Sequence, residues 1–256
     1  MVTTTSPDIA TGIERGARPT RIAVELIAGR ARLRTLDQGY FLAGRPLQSS
    51  GIRLRLALVG VHLSLLAGDV VDVQIQVGAG AVLEVIEPSG TVAYDAAGRR
   101  STWRLAATVD EGATLIWRGA EFVASQGSNA RRSCELILAP GARVLFKETL
   151  VLGRSGESGV VLESCTAASL DGQELLVEDL LLTPDNRELP GLVGASRVIC
   201  TVMLLGMRPS GDKTSAQRLD LAGPGALWRS LAPAAHTAEK AAEPVFECWR
   251  HEVLAR

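Results

Sequence analysis

Three short turns, each ending in Gly-Ala and each set between apolar stretches, punctuate the middle of the chain: Gly80-Ala81, Gly112-Ala113 and Gly141-Ala142. The first two glycines lie 32 positions apart and the next two 29. Glycine supplies the positive φ that tight turns demand. Between the turns, side chains alternate with a period of two. Val71, Val73, Ile75 and Val77 fall on one face and Asp72, Gln74 and Gln76 on the other. Ile52, Leu54, Leu56 and Leu58 alternate with Arg53, Arg55 and Ala57, and Trp103, Leu105, Ala107 and Val109 with Arg104, Ala106 and Thr108. That period belongs to half-buried strands. Residues 144–152 and 198–205 are apolar on both faces, as strands covered from two sides are. A repeat near 30 residues predicts a mainly β chain of stacked antiparallel hairpins, forming a β-helix-like superhelical solenoid and not a closed barrel. A fourth hairpin is expected at Asp171-Gly172.

The alternation sets the domain plan. Residues 20–207 form the β-stack core, and 1–19, without an apolar run, read as a disordered tail. The polar stretch 208–222 reads as a mobile connection. Residues 223–256 carry helical spacing at Leu227/Leu231 and at Phe246/Trp249/Val253. They predict short C-terminal helices packed on the core, the second begun by Pro244, within one domain overall.

Composition excludes several function classes. The 27 basic and 28 acidic residues give a net charge of −1, which argues against nucleic acid as the main partner. No apolar run approaches the roughly 18 residues a membrane helix needs. The four cysteines form no Cys-x-x-Cys motif, which points to a reducing, cytoplasmic setting. The chain contains no nucleophile elbow, phosphate-binding loop, His-Glu-x-x-His or dinucleotide fingerprint, so no catalytic residue is assigned and the protein is expected not to be an enzyme.

Several side chains stand out against this apolar background. Glu148 shares a strand face with Val144, Phe146, Leu150 and Leu152. A carboxylate there must be paired, hydrated or shifted in pKa. Two readings stand: a structural pair with a nearby Arg or Lys, or a group lining a water-filled internal passage. Glu121 follows the apolar run Leu115-Ile116-Trp117, Glu157 sits in the Gly-rich loop 153–159, and Asp69 follows Gly68 at a strand entry. Cys248 and His251 share a helix face; the expected arrangement is a half-buried thiol beside Phe246 and Trp249 with an exposed imidazole, since two ligands are too few for a structural metal site. Cys134, Cys165 and Cys200 are expected in the core, and Arg99-Arg100 and Arg131-Arg132 on solvated faces.

Four segments follow in order: Leu65-Leu66-Ala67-Gly68-Asp69, then Leu83 to Tyr94 with Thr91-Val92-Ala93-Tyr94 at its end, then Trp117 with Glu121 and Phe122, then the stretch from Glu148 through Arg154 to Glu157. This ordered set resembles the UreD (UreH) family of urease accessory proteins. Val92 stands where many members carry Lys, Gly119 replaces a frequent proline, and the glycine-rich turn before Asp69 is shortened. The resemblance implies a β-helix-like fold and a non-catalytic scaffold for GTP-dependent nickel insertion into apo-urease. It implies binding to UreF and to the urease apoprotein subunits, to the GTPase UreG through UreF, and indirectly to UreE. It implies no tightly bound cofactor, only nickel in transit through an internal tunnel. Under that implication Asp69, Glu121, Glu148 and Glu157 are the passage candidates, and Thr91, Tyr94, Trp117 and Arg154 are docking or structural residues. A passage needs oxygen ligands and weak binding, not a closed cage. Two other classes remain open: a β-solenoid carbohydrate-active enzyme using two carboxylates, and an adaptor without metal transfer.

Overall fold

The computed structural model describes residues 18–210 and 217–255. Its strands and single helix, numbered in chain order, build a β-solenoid of about four turns, as the repeat and the alternation predict. The first sheet runs in the order β14 (Gln173–Leu182), β13 (Val161–Leu170), β11 (Asn129–Leu138), β9 (Ser101–Val109), β6 (Val70–Val77), β1 (Thr20–Ile27), β2 (Arg30–Asp37). The second runs β16 (Arg218–Asp220), β17 (Gly225–Ala232), β15 (Val198–Leu205), β12 (Arg143–Leu152), β10 (Thr114–Ala124), β7 (Val82–Ile86), β4 (Arg53–Gly60), β3 (Leu42–Ser50). The short strands β5 (Ser64–Leu65) and β8 (Thr91–Ala93) attach beside β10.

The Gly-Ala turns differ from expectation in one respect. They are corners that carry the chain from the first sheet to the second, and successive coils pair in parallel, β6 with β9, β9 with β11 and β10 with β12. Antiparallel pairs cap the ends of the stack: β1 with β2, β3 with β4, and β13 with β14 at the predicted Asp171-Gly172 hairpin. Alternation alone cannot tell a hairpin from a corner, because both place a turn between two half-buried strands. Each corner glycine has positive φ (67° at Gly80, 63° at Gly112, 70° at Gly141). The corners stack through Gly80 N–H to Glu111 O and Gly112 N–H to Pro140 O. The alanine after each glycine is fully buried, where its small side chain closes the end of the core.

Two apolar cores result. The main one fills the space between the sheets, with Val73, Leu105, Leu115, Leu136 and Phe146 among its members. The other lies on the outer face of the second sheet, beneath helix α1 (Ala235–Leu254). Its stripe Ala238, Ala242, Phe246, Trp249, Val253 is buried, which explains why β12 and β15 are apolar on both faces.

The C-terminal region differs from the sequence reading. Leu227 and Leu231 lie on β17, a strand, and a single helix of 20 residues replaces two. Pro244 lies inside it. Proline removes a helical hydrogen bond, but apolar anchors on both sides hold the two halves against the sheet, and such packing supplies most helix stability in proteins. Of the 208–222 connection, residues 211–216 lie outside the described residues, and 218–220 form β16. Most of the 1–19 tail also lies outside them.

Candidate functional site

Strand β11 turns Ala130, Arg132, Cys134, Leu136 and Leu138 inward. Arg132 is therefore sealed in the core, 3% exposed, and does not lie on a solvated face as the Arg131-Arg132 doublet suggested. Its guanidinium lies 3.7 Å from the Trp103 ring centroid and 5.6 Å from that of Phe122. From the opposite sheet, Glu148 (5% exposed) reaches it at 3.0 Å, Nε to Oε2. The structural pairing foreseen for Glu148 is thus the one found. Trp117 stacks on Phe146 with centroids 5.9 Å apart and meets Trp103 edge-on at 6.2 Å, walling the pair from water.

A further carboxyl completes the cluster. Leu83, Val85 and Glu87 follow the same alternation, and Glu87 points toward the core just beyond β7. Its Oε2 accepts the Ala120 N–H at 3.1 Å. Burial is the strongest influence on Glu87 and, with Glu148's charge, raises its pKa from 4.5 to about 7; the charge of Arg132, the Ala120 N–H and the Trp117 indole pull the other way. Buried Cys134 joins the same group, its pKa raised to about 12, chiefly by burial. It is a poor thiolate ligand near neutral pH.

The four passage candidates occupy four different settings. Glu148 alone lies in the core. Asp69 is buried in the turn before β6, where its Oδ2 accepts the Leu66 N–H at 2.8 Å. Glu121 pairs in register with Thr149, whose hydroxyl donates to Glu239 of α1, so it lies on the helix side of the second sheet. The register shift between Arg118 and Glu121 puts it there. Glu157 accepts the Arg154 and Gln126 N–H groups at 2.8 and 3.0 Å. Those bonds, that of Arg154 foremost, lower its pKa and tie the 153–159 loop to the neighbouring coil.

The docking or structural residues also separate. Trp117 is fully buried, and Thr91 is buried on β8. Tyr94 and Arg154 face solvent together, the guanidinium 5.0 Å from the ring centroid.

The outer face of the second sheet carries a row of charges between helix and strands. Glu239 meets Lys147 and Thr149, Glu243 and Glu247 meet Arg118, and Arg250 meets Glu84, which also holds Arg55. Glu239, Glu243 and Glu247 are four apart and so share one helix face. This row had a sequence signal, that spacing, but its strand partners are far away in the chain.

The cysteines depart from expectation at two points. Cys134 and Cys200 are buried, but Cys165 faces outward on the first sheet, its thiol 3.4 Å from Asp179 and 3.7 Å from Glu163. Those three groups are close enough to share an ion. Arg100 and Arg131 already hold Glu163 at 2.7 and 3.0 Å, and burial and the Asp179 hydrogen bond raise the Cys165 pKa to about 11. Both facts oppose a cation. Cys248 is exposed, not half-buried, because Phe246 and Trp249 take the packed face of α1.

Comparison with known proteins gives one result throughout. The family model described as UreD urease accessory protein matches residues 20–256. A protein of Streptomyces griseus named Urease accessory protein UreD 1 is 50% identical over 236 residues, 91% of this chain and 92% of its own length. Urease accessory protein UreD 2 of Saccharopolyspora erythraea is 30% identical over 225 residues, covering 80% and 79%. The UreD of Streptomyces coelicolor is 32% identical over 205 residues, covering 75% and 80%.

Proposed function

The chain belongs to the UreD family of urease accessory proteins, and from that premise we propose that it is a non-catalytic scaffold for GTP-dependent nickel insertion into apo-urease. The observation that carries this reading is the extent of the match. It spans the solenoid and the helix together, so the whole described architecture is of the family type. In this reading the protein binds UreF and the urease apoprotein, and reaches the GTPase UreG through UreF and UreE indirectly. The chain contains no phosphate-binding loop of its own, which suits a partner supplying the nucleotide chemistry.

The buried cluster supports an internal route for the metal. Glu148 neutralises Arg132, which leaves Glu87 as a carboxyl near its midpoint at neutral pH. Such a group exchanges its proton for a cation with little penalty, and a single oxygen ligand releases the cation again. The high thiol pKa values of Cys134 and Cys200 fit a route without a soft-ligand trap. The sugar-processing alternative loses support here, because all four tryptophans are buried and the two exposed tyrosines are engaged, Tyr40 stacked on His62 and Tyr94 beneath Arg154.

The test is co-purification of the chain with UreF and with apo-urease, followed by nickel-dependent urease activation. Wild type should pull down both partners. Glu87→Gln should bind them equally yet lower the activation rate several-fold. Failure to bind either partner overturns the scaffold reading; full activation by Glu87→Gln removes that residue from the route.

A further inference from the structure

The net charge of −1 conceals a polarised molecule. Residues 18–60, which build β1 to β4 at one end of the stack, hold eight arginines against two carboxylates, Glu25 and Asp37. Residues 163–188, which run from β13 through β14 at the other end, hold seven carboxylates against one arginine; Arg100 and Arg131 pair with Glu163 and Arg229 with Glu178, which leaves an acidic excess there. The edge strands β2 and β14 are separated by the full width of the first sheet, roughly 29 Å at the usual strand spacing.

At the basic end the charges converge on two adjoining recesses. One, of about 490 Å³, is lined by Ala28, Gly29, Arg30, Arg32, Ser49, Ser50 and Gly51. The other, of about 300 Å³, is lined by Gln48, Ser50, Arg53, Arg55, Glu84 and Arg250. Ser50 is common to both. Five guanidiniums thus surround one carboxylate, and Glu84 is already held by Arg55 and Arg250. Arg30, Arg32 and Arg53 are exposed and make no ion pair among the described residues. Ile27, Leu47 and Ile52, all exposed, border the same end.

Charged side chains on edge strands commonly guard against edge-to-edge pairing. That role does not explain the polarity. Opposite signs at the two ends attract successive copies head to tail, whereas a guard works by like-charge repulsion.

We propose that this recessed basic end is a docking surface for an acidic, carboxylate-rich segment of a partner protein. Arginine suits the task because its planar fork binds carboxylates in a bidentate manner. The apolar side chains at the border add the non-polar contact that protein interfaces combine with charge. Such a surface chiefly speeds and orients association and is sensitive to salt. The inference stands apart from the nickel-insertion reading, since it rests on the cap and not on the interior.

The experiment uses the purified full chain and a fluorescently labelled poly-aspartate peptide, read by anisotropy at low and physiological salt. Wild type should bind the peptide, with affinity falling as salt rises. The triple variant Arg30→Ala/Arg32→Ala/Arg53→Ala keeps the buried core intact and should bind at least tenfold more weakly with an unchanged circular dichroism spectrum. Arg104→Ala, on the outer face of the first sheet, should bind like wild type. Three results would overturn the proposal: no peptide binding by wild type or equal binding by the triple variant; tighter binding of an oligonucleotide of matched charge, which makes the surface a nucleic-acid site; or sedimentation showing self-association of wild type that the triple variant abolishes, which assigns the end to a second copy.

Discussion

Along β12, neighbouring residues face two different electrostatic settings. Glu148 points into the solenoid, where its partner is Arg132 and both are almost wholly buried. Lys147 and Thr149, one position either side, point outward to Glu239 on α1. The inner pair is sealed by aromatic rings, and the outer row runs along a helix whose carboxylates keep partial contact with solvent. The contrast shows how burial changes what an ion pair does. In the interior, each charge is tolerable only because the other is present. Under the helix, water can reach Arg118 and its carboxylate partners when one of them is lost, whereas Lys147 is itself buried and depends on Glu239; the apolar stripe beside the row carries most of the adhesion of α1.

Breaking the inner pair tests that contrast most severely. Glu148→Leu leaves buried Arg132 without its salt-bridge partner and should cost about 3–5 kcal/mol of stability in denaturant titration. The double variant Arg132→Met/Glu148→Leu should recover most of that loss. Equal destabilisation by single and double variants would show that the residues do not act as a pair.

A smaller effect is expected at Glu87, which is half-buried and makes no salt bridge among the described residues. Its pKa is raised in the folded protein from 4.5 to about 7. A raised carboxyl pKa means the folded state prefers the protonated form. The associated stability is therefore complete below pH 4.5 and lost as pH rises through 7. Relative to Glu87→Gln, wild type should lose on the order of 3 kcal/mol across that window. A pH-independent difference between the two proteins would refute the assignment.

The outer row should respond least. Glu243→Gln/Glu247→Gln, which leaves the Lys147–Glu239 pair intact, should lower stability by roughly 1 kcal/mol at low salt, and by less as salt screens the row. A salt-independent loss as large as that of Glu148→Leu would erase the distinction between the two faces.

Much of this was legible from local pattern. The period of two gives the inward faces of β4, β6, β9 and β12, and places Glu148 in the core without identifying its partner. The same pattern, applied to Ala130, Arg132 and Cys134, or to Leu83, Val85 and Glu87, points those charged groups inward as well. An arginine doublet reads as surface when composition is weighed above alternation, and that reading puts Arg132 on the wrong face of β11. Leu227 and Leu231 misled for the opposite reason. Two leucines four apart fit a helix, but they also fall on the same face of a strand, and pairing with β15 decides in favour of the strand.

The sequence by itself determined the β-solenoid class, the turn positions and the inward faces of the regular strands, because steric limits on φ and strand alternation are local and act on every residue. It also carried the family, through segments in fixed order along the chain. The tertiary structure alone decided that the coils pair in parallel, that Arg132 meets Glu148 across the sheets, that Glu121 lies on the helix side, and that Arg250 joins the arginines of residues 18–60 at one end. Those facts depend on which strands become neighbours, and hydrogen bonds and burial between segments remote in the chain settle that.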